Sequence, residues 1–329
     1  MKGFNPKFDN FPDYIIGITK EIWEDRGLAT LHEYYAPDIV VRSPMNIVLG
    51  NQNVIGATMA TLAEFPDRQL LGEDVIWSGT PEEGLLSSHR ILTTATHLGD
   101  GVYGKATGKK LAYRVIADCH AKNNAIDDEW LIRDQGAIVR QMGWDPVEYA
   151  RDLIKREGGL EASTKPFTPT IDQVGPYKGR GNENEWGARH ADILTRIMNA
   201  DITVIKSEYD RAVQSEVAGG ITGYGWDPVE RFWMGLRASF PSAKFQIEHQ
   251  VGREDSYLSP RSAIRWGLTG KHEGWGSFGR PTGANVHIMG ASHVEFGAIK
   301  PGEIKLRREW TLFDETAVWK QILLQTGDV

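Results

Sequence analysis

The chain has 329 residues, 40% of them hydrophobic and 25% charged, with a net charge of −7. This is the balance of a globular protein long enough for two ordinary domains, and without a Lys/Arg cluster it argues against a nucleic-acid partner or an anionic membrane surface. Cys119 is the only cysteine, so no internal disulfide can form and a reducing, cytoplasmic compartment is expected; Met1–Pro12 shows no apolar signal core, and no apolar run reaches membrane-spanning length.

Residues 13–27 place Tyr14, Ile15, Ile18 and Ile22 at helical spacing, stopped by Gly27. A short helical stretch, Leu28–Tyr35, precedes Pro37, and a further helix is predicted over 52–64. From Leu70 to Asp134 the pattern becomes β-rich, with Ser87–Leu98, Lys110–Ala121 and Glu129–Asp134 separated by Gly, Asp and Asn turns. A helix follows over Gln135–Met142. Residues 157–186, rich in Gly and Pro, read as a linker. Helices are then expected at 187–200, 202–212 and 227–239, and strands at 244–251, 261–272, 284–296 and 303–313. The string Gly-Trp-Asp-Pro-Val-Glu at 143–148 and again at 225–230 reads as helix-start chemistry.

The helix-then-strand order occurs twice because the residues do. Between Ala63 and Gly108, 13 of 46 positions are identical to the residue 175 further on, where chance gives about three. They include Phe65/Phe240, Glu73/Glu248, Arg90/Arg265, His97/His272 and Thr107/Thr282; at an offset of 180, Glu129/Glu309, Trp130/Trp310 and Asp134/Asp314 also coincide. A period this long marks a duplicated domain. The expected organisation is one domain over 1–155, a linker over 156–186 and a second domain over 187–329. Each is expected to be an α+β cone, a curved and mainly antiparallel sheet wrapped on about three helices with one apolar pocket. The two should pack as an internal pseudo-dimer, with a homodimer of the whole chain also possible.

The run Thr96-His97-Leu98-Gly99, Tyr103-Gly104 and Ala106-Thr107-Gly108-Lys109-Lys110, with the ending Glu129-Trp130, Asp134 and Ile138–Gly143, resembles SnoaL-like polyketide cyclases. That family lies in the nuclear-transport-factor-2-like superfamily of α+β cones. The second copy is similar through Lys271–Gly274, Phe278-Gly279, Pro281–Gly283 and Glu309-Trp310 with Asp314. The resemblance implies a cofactor-independent cyclase, isomerase or dehydratase acting on a small carbonyl or polyketide-like compound. Ring-closing members carry an aspartate directly after the strand tryptophan; here Leu131 and Thr311 stand there. The alternative is a non-catalytic binding protein for a small apolar ligand, with one or both cones degenerate.

Five residues of the first copy are candidates for chemistry. Glu129 shares the strand face of Leu131, and a carboxyl group facing an apolar pocket would titrate near neutrality; the bland reading is a solvated strand-start residue. Tyr113 could donate into the pocket. His120 could meet Asp134 across the sheet as an acid/base pair, or be a surface residue. His97 could be a base or merely pin a hairpin. Trp130 and Leu131 are expected to contact ligand. In the second copy Trp266, His272, His293, Glu309, Trp310 and Asp314 suggest a more aromatic ligand site. His97, His120 and Asp134, and likewise His272, His287 and His293, are suitable metal-ligand types without tight spacing, so no metal site is expected.

Overall fold

The computed structural model describes residues 1–329. Six strands make the first sheet: β1 (Tyr35–Arg42), β2 (Ile47–Leu49), β3 (Gln69–Thr80), β4 (Gly84–Thr96), β5 (Lys110–Lys122) and β6 (Ala125–Arg133), in the spatial order β2-β1-β6-β5-β4-β3. The second sheet repeats that order with β7 (Tyr209–Val217), β8 (Ile221–Tyr224), β9 (Lys244–Arg253), β10 (Arg261–Lys271), β11 (Asn285–Lys300) and β12 (Glu303–Phe313), arranged β8-β7-β12-β11-β10-β9. Neighbours are antiparallel except β1 with β6 and β7 with β12, which are parallel. Helices Phe11–Thr19 and Asn51–Glu64 close the first cone; Glu185–Met198 and Trp226–Ser239 close the second. The fold is α+β, two tandem cones.

Strands β1, β2, β7 and β8 are absent from the sequence reading, and the helix expected over 202–212 ends at Glu208. The reason is tertiary. Tyr35–Arg42 contains Pro37 and gains its ladder from β6, about ninety residues later in the chain, which no local window can sense. Of the two Gly-Trp-Asp-Pro-Val-Glu strings, the first behaves as expected: Asp145 accepts from the Val147 N–H and Pro146 opens the helix. In the second, the helix starts earlier, at Trp226, after Gly225.

The two sheets face each other. Strand alternation gives β5 and β6 one face toward their own cone and one toward the other sheet. On the outer faces, Ile116, Ile132, Met289, Ala291 and Leu312 form a buried apolar layer with Phe167. Around it the equivalent residues are exchanged crosswise: the Arg90 guanidinium lies 3.5 Å from the Trp310 ring centre and that of Arg265 3.7 Å from the Trp130 ring centre. Each arginine also meets the glutamate at the bulge of its own sheet, Arg90 with Glu73 at 3.1 Å and Arg265 with Glu248 at 3.5 Å. Registers pair Asp118 with Trp130 and His293 with Trp310, so Asp118 and His293 are the equivalents. Arg265 bonds Asp118 at 2.8 Å, whereas Arg90 Nη1 approaches His293 Nδ1 at 3.4 Å and Ser88 Oγ bonds its Nε2 at 2.8 Å.

The Gly/Pro-rich linker is packed into this arrangement. Phe167 is buried between the sheets, Asp172 bonds Arg42, and the Tyr177 hydroxyl lies 2.7 Å from His249 Nε2.

The buried Arg265–Asp118 pair generates a stability prediction. Arg265→Met should lower stability by about 3–5 kcal/mol by stranding the Asp118 carboxylate in a site that already disfavours its charge. Adding Asp118→Asn should recover most of that loss in chemical denaturation; no recovery would show the pair is not coupled.

Candidate active site

The first cone encloses a cavity of about 550 Å³. Its wall follows from register. Two adjacent residues, Asn123 and Asn124, with φ of 51° and 68°, make the tight hairpin that sets β5 against β6. Cys119, Ala117 and Val115 on β5 then stand opposite Glu129, Leu131 and Arg133 on β6. On β4, His89, Ile91 and Thr93 stand opposite Ala117, Val115 and Tyr113. All of these line the cavity. The first-cone core is accordingly two separate apolar clusters, one built on the Phe11–Thr19 helix and one on Phe65, Tyr103 and Tyr149.

Glu129 is buried on this wall, and burial raises its pKa to about 7 against the smaller opposing effects of the Tyr35 hydroxyl and the Arg133 guanidinium. Tyr35 is itself pushed up by burial, so it remains a neutral donor beside the carboxyl group. His89 is fully enclosed; burial, aided by Arg90, lowers its pKa to about 3, which makes it a neutral imidazole whose Nε2 has no partner. Arg68, in the loop before β3, is buried with Nε unpartnered. The Thr93 hydroxyl is likewise without a partner.

Tyr113, Glu129 and Leu131 of the expected residues therefore share the cavity. Apart from Asp314, which borders it, the others lie elsewhere. His120 is on the opposite face of β5, with Nδ1 2.5 Å from Asp127 Oδ1 and its ring against Tyr177; strand alternation puts it out of reach of the cavity. Its equivalent is Glu295, not His293, because the hairpin alignment is off by two residues. Asp134 does not orient it: that carboxylate caps the Gln135–Met142 helix through Ala137 N and receives the Gly219 and Gly220 N–H groups of the second half. His97 pins the hairpin, with Nε2 3.1 Å from Glu64 and Nδ1 3.1 Å from Thr107. Trp130 is not a ligand contact but lies between Arg42 and Arg265 at the sheet–sheet interface.

The second cone does not hold the more aromatic ligand site anticipated above. Trp266 is fully buried against Trp233, Phe245 and Phe313, and these rings belong to one continuous core. Glu309 is tied down by the Trp233 indole N–H at 3.1 Å and the Thr311 hydroxyl at 2.8 Å. His272 pins its hairpin through Thr282, Trp310 and His293 serve the interface, and Asp314 caps the Glu315–Thr326 helix while its residue also borders the first cavity.

Register makes the contrast residue by residue. His89, Thr93, Tyr113 and Arg133 of the first cone correspond to Ile264, Leu268, Ile288 and Phe313 of the second, and the sequence offset pairs Arg68 with Ala243 and Thr58 with Trp233. All six of these polar wall groups have become apolar, while Glu129 and Tyr35 keep polar counterparts in Glu309 and Tyr209, and the rings of Trp233 and Trp266 join the second cone's core. His89, Arg68 and Arg133 were missed in the sequence. The available signal was that they share the pocket face yet have no polar counterpart.

Residues 14–142 match the family model described as SnoaL-like polyketide cyclase. Among solved structures, similarity extends to IdmH from Streptomyces antibioticus (23% identity, TM-score 0.35, covering 40% of this chain and 98% of that one). AclR from Streptomyces galilaeus is 19% identical with a TM-score of 0.35, over 41% of this chain and 98% of its own. A SnoaL-like polyketide cyclase from Agrobacterium tumefaciens is 18% identical with a TM-score of 0.31, over 40% and 94% respectively. No curated protein matches the chain. The first cone is a SnoaL-like domain, and two sheets of identical strand order fit its tandem duplication.

Burial of Glu129 makes stability depend on pH. Its folded pKa, about 7, lies above its ordinary value of 4.5, so the contribution is full below about pH 4.5 and is lost as pH rises through 7, by roughly 3 kcal/mol in all. Glu129→Gln cannot ionise. Its stability relative to the parent should therefore rise by about that amount between pH 4.5 and 8.5 in denaturant titrations; a constant difference would mean the carboxyl group is not desolvated.

Proposed function

We propose that this SnoaL-like protein is a proton-transfer enzyme of the cyclase or isomerase type, working without a cofactor in the first cone on a small carbonyl or polyketide-like compound. The observation that carries the reading is a buried Glu129 titrating near 7 on the wall of an open cavity, opposed to a Glu309 locked in a filled one. A base poised near the working pH combines an available ionised form with useful basicity.

In the ionised state Glu129 takes a proton from the carbon next to a substrate carbonyl. The electrons of that C–H bond move onto the carbonyl oxygen as an enolate. The neutral imidazole of His89, whose rung with Ala117 adjoins the Cys119–Glu129 rung on the same wall, suits that oxygen as a donor. The enolate carbon then attacks a second carbonyl or is reprotonated elsewhere, and Glu129 returns its proton to the alkoxide or carbon so formed. Leu131, where ring-closing relatives carry an acid, keeps the wall apolar and sustains the raised pKa. The second cone serves as a packed support.

Exchange of the acidic C–H of a 1,3-diketone in D2O, followed by NMR, reads this chemistry directly. Glu129→Gln should slow enzyme-dependent exchange by about 10²–10⁴-fold, and Glu309→Gln should leave it unchanged. The apparent second-order rate constant should rise with pH and level off above about 7. Equal exchange by Glu129→Gln and the parent would remove Glu129 from the chemistry. Ile91→Trp, which installs the residue of the second cone, should narrow the cavity and slow exchange while the chain stays folded.

A further inference from the structure

Arg68 and Arg133 both line the first cavity, and neither forms an ion pair. The side chains that bear on Arg68 are Tyr113, Arg133 and Tyr103, with no carboxylate among them. Its Nε is buried and unpartnered. A largely buried guanidinium without a counter-charge is unfavourable, and here a second one stands nearby. Apart from Glu129, the carboxylates on this wall are occupied, Asp100 by the Ala106 N–H. Glu64 receives His97 Nε2 and the Val102 and Tyr103 N–H groups, and Asp314 caps a helix through Thr316 and Ala317. In the second cone both positions are apolar, Ala243 and Phe313, so neither the fold nor the interface requires a cation there.

We propose that the first cone takes substrates bearing a free carboxylate, gripped by Arg68 with Arg133 as the second cation. A planar guanidinium matches a carboxylate with two parallel N–H donors, and the pair supplies the charge the site lacks. The position also orders the ligand. Arg133 lies four residues along β6 from Glu129, about 13 Å between their Cα atoms, with Leu131 between them. The Tyr113–Thr93 rung lies beyond Arg133, on the side away from Glu129. The ligand therefore has an anionic end at the Arg68/Arg133 pole, an apolar body against Leu131, Val115 and Ile91, and its exchangeable C–H toward Glu129. Only this last assignment rests on the proton-transfer reading; the clamp stands or falls on binding alone.

The test uses 2-naphthoate and its uncharged counterpart 2-naphthamide, titrated into the full-length protein by calorimetry. The parent should bind the acid about 10–100-fold more tightly than the amide, the range for hydrogen bonds to charged groups. Arg68→Met should bring the two affinities together, and Arg133→Gln should reduce the preference in part. Because Arg68→Met removes an uncompensated buried charge, it should also hold or raise Tm. Equal affinities in the parent, no binding of either probe, or a preference that survives Arg68→Met would overturn the proposal. So would a fall in Tm with Arg68→Met, since that would make Arg68 a structural strut. Loss of the acid preference leaves diketone exchange as an independent readout, so failure of the clamp and failure of Glu129 as base remain distinguishable.

Discussion

Two arginines, each laid over the tryptophan of the opposite sheet, fix the frame on which everything else depends. Arg90 on Trp310 and Arg265 on Trp130 are the same contact made twice across an approximate two-fold axis. The contact joins the outer faces of β4 and β10 to those of β12 and β6, and alternation then determines what the inner faces of the sheets present. Asp118 and Trp130 point out; Cys119 and Glu129, one residue on or back, point in. A wall braced from behind by a buried apolar layer and two cation–π stacks can carry an open cavity in front, where a freestanding sheet would be free to collapse into it.

The two cones differ in how they are filled. The filled cone buries its aromatic rings in a single core, the arrangement expected to stabilise most. The open cone keeps two guanidinium groups, a neutral imidazole, several hydroxyl groups and a carboxyl group around a void, an arrangement that costs stability. That expense falls on one half while the other contributes rigidity, and strain or desolvation of this kind is what functional sites characteristically retain.

Much of the fold was legible. Long alternating strands and periodic helices gave two α+β cones, and the internal repeat gave their number. The short strands β1, β2, β7 and β8 were not legible, because their extended form comes from partners distant in the chain. In the site, Tyr113, Glu129 and Leu131 followed from strand alternation. His120 failed by one residue of alternation and Asp134 by a helix cap whose backbone partners lie in the other half. The premise that functional residues recur in both copies also misled. What recurs is architecture: Arg90/Arg265 at the interface, His97/His272 at the hairpins, Asp134/Asp314 at the caps. The polar wall is what does not recur, and His89, Arg68 and Arg133 were visible only as differences between aligned copies.

The central claim is that Glu129 is a desolvated carboxyl group facing an open cavity. Carbon-13 NMR of carboxyl-labelled glutamate, assigned by comparison with Glu129→Gln, measures this directly. A titration midpoint near 7 for Glu129 is the result the account predicts. A midpoint near 4.5, the ordinary value, would contradict it, since a solvated Glu129 could be neither a pocket base nor the source of the pH-dependent stability.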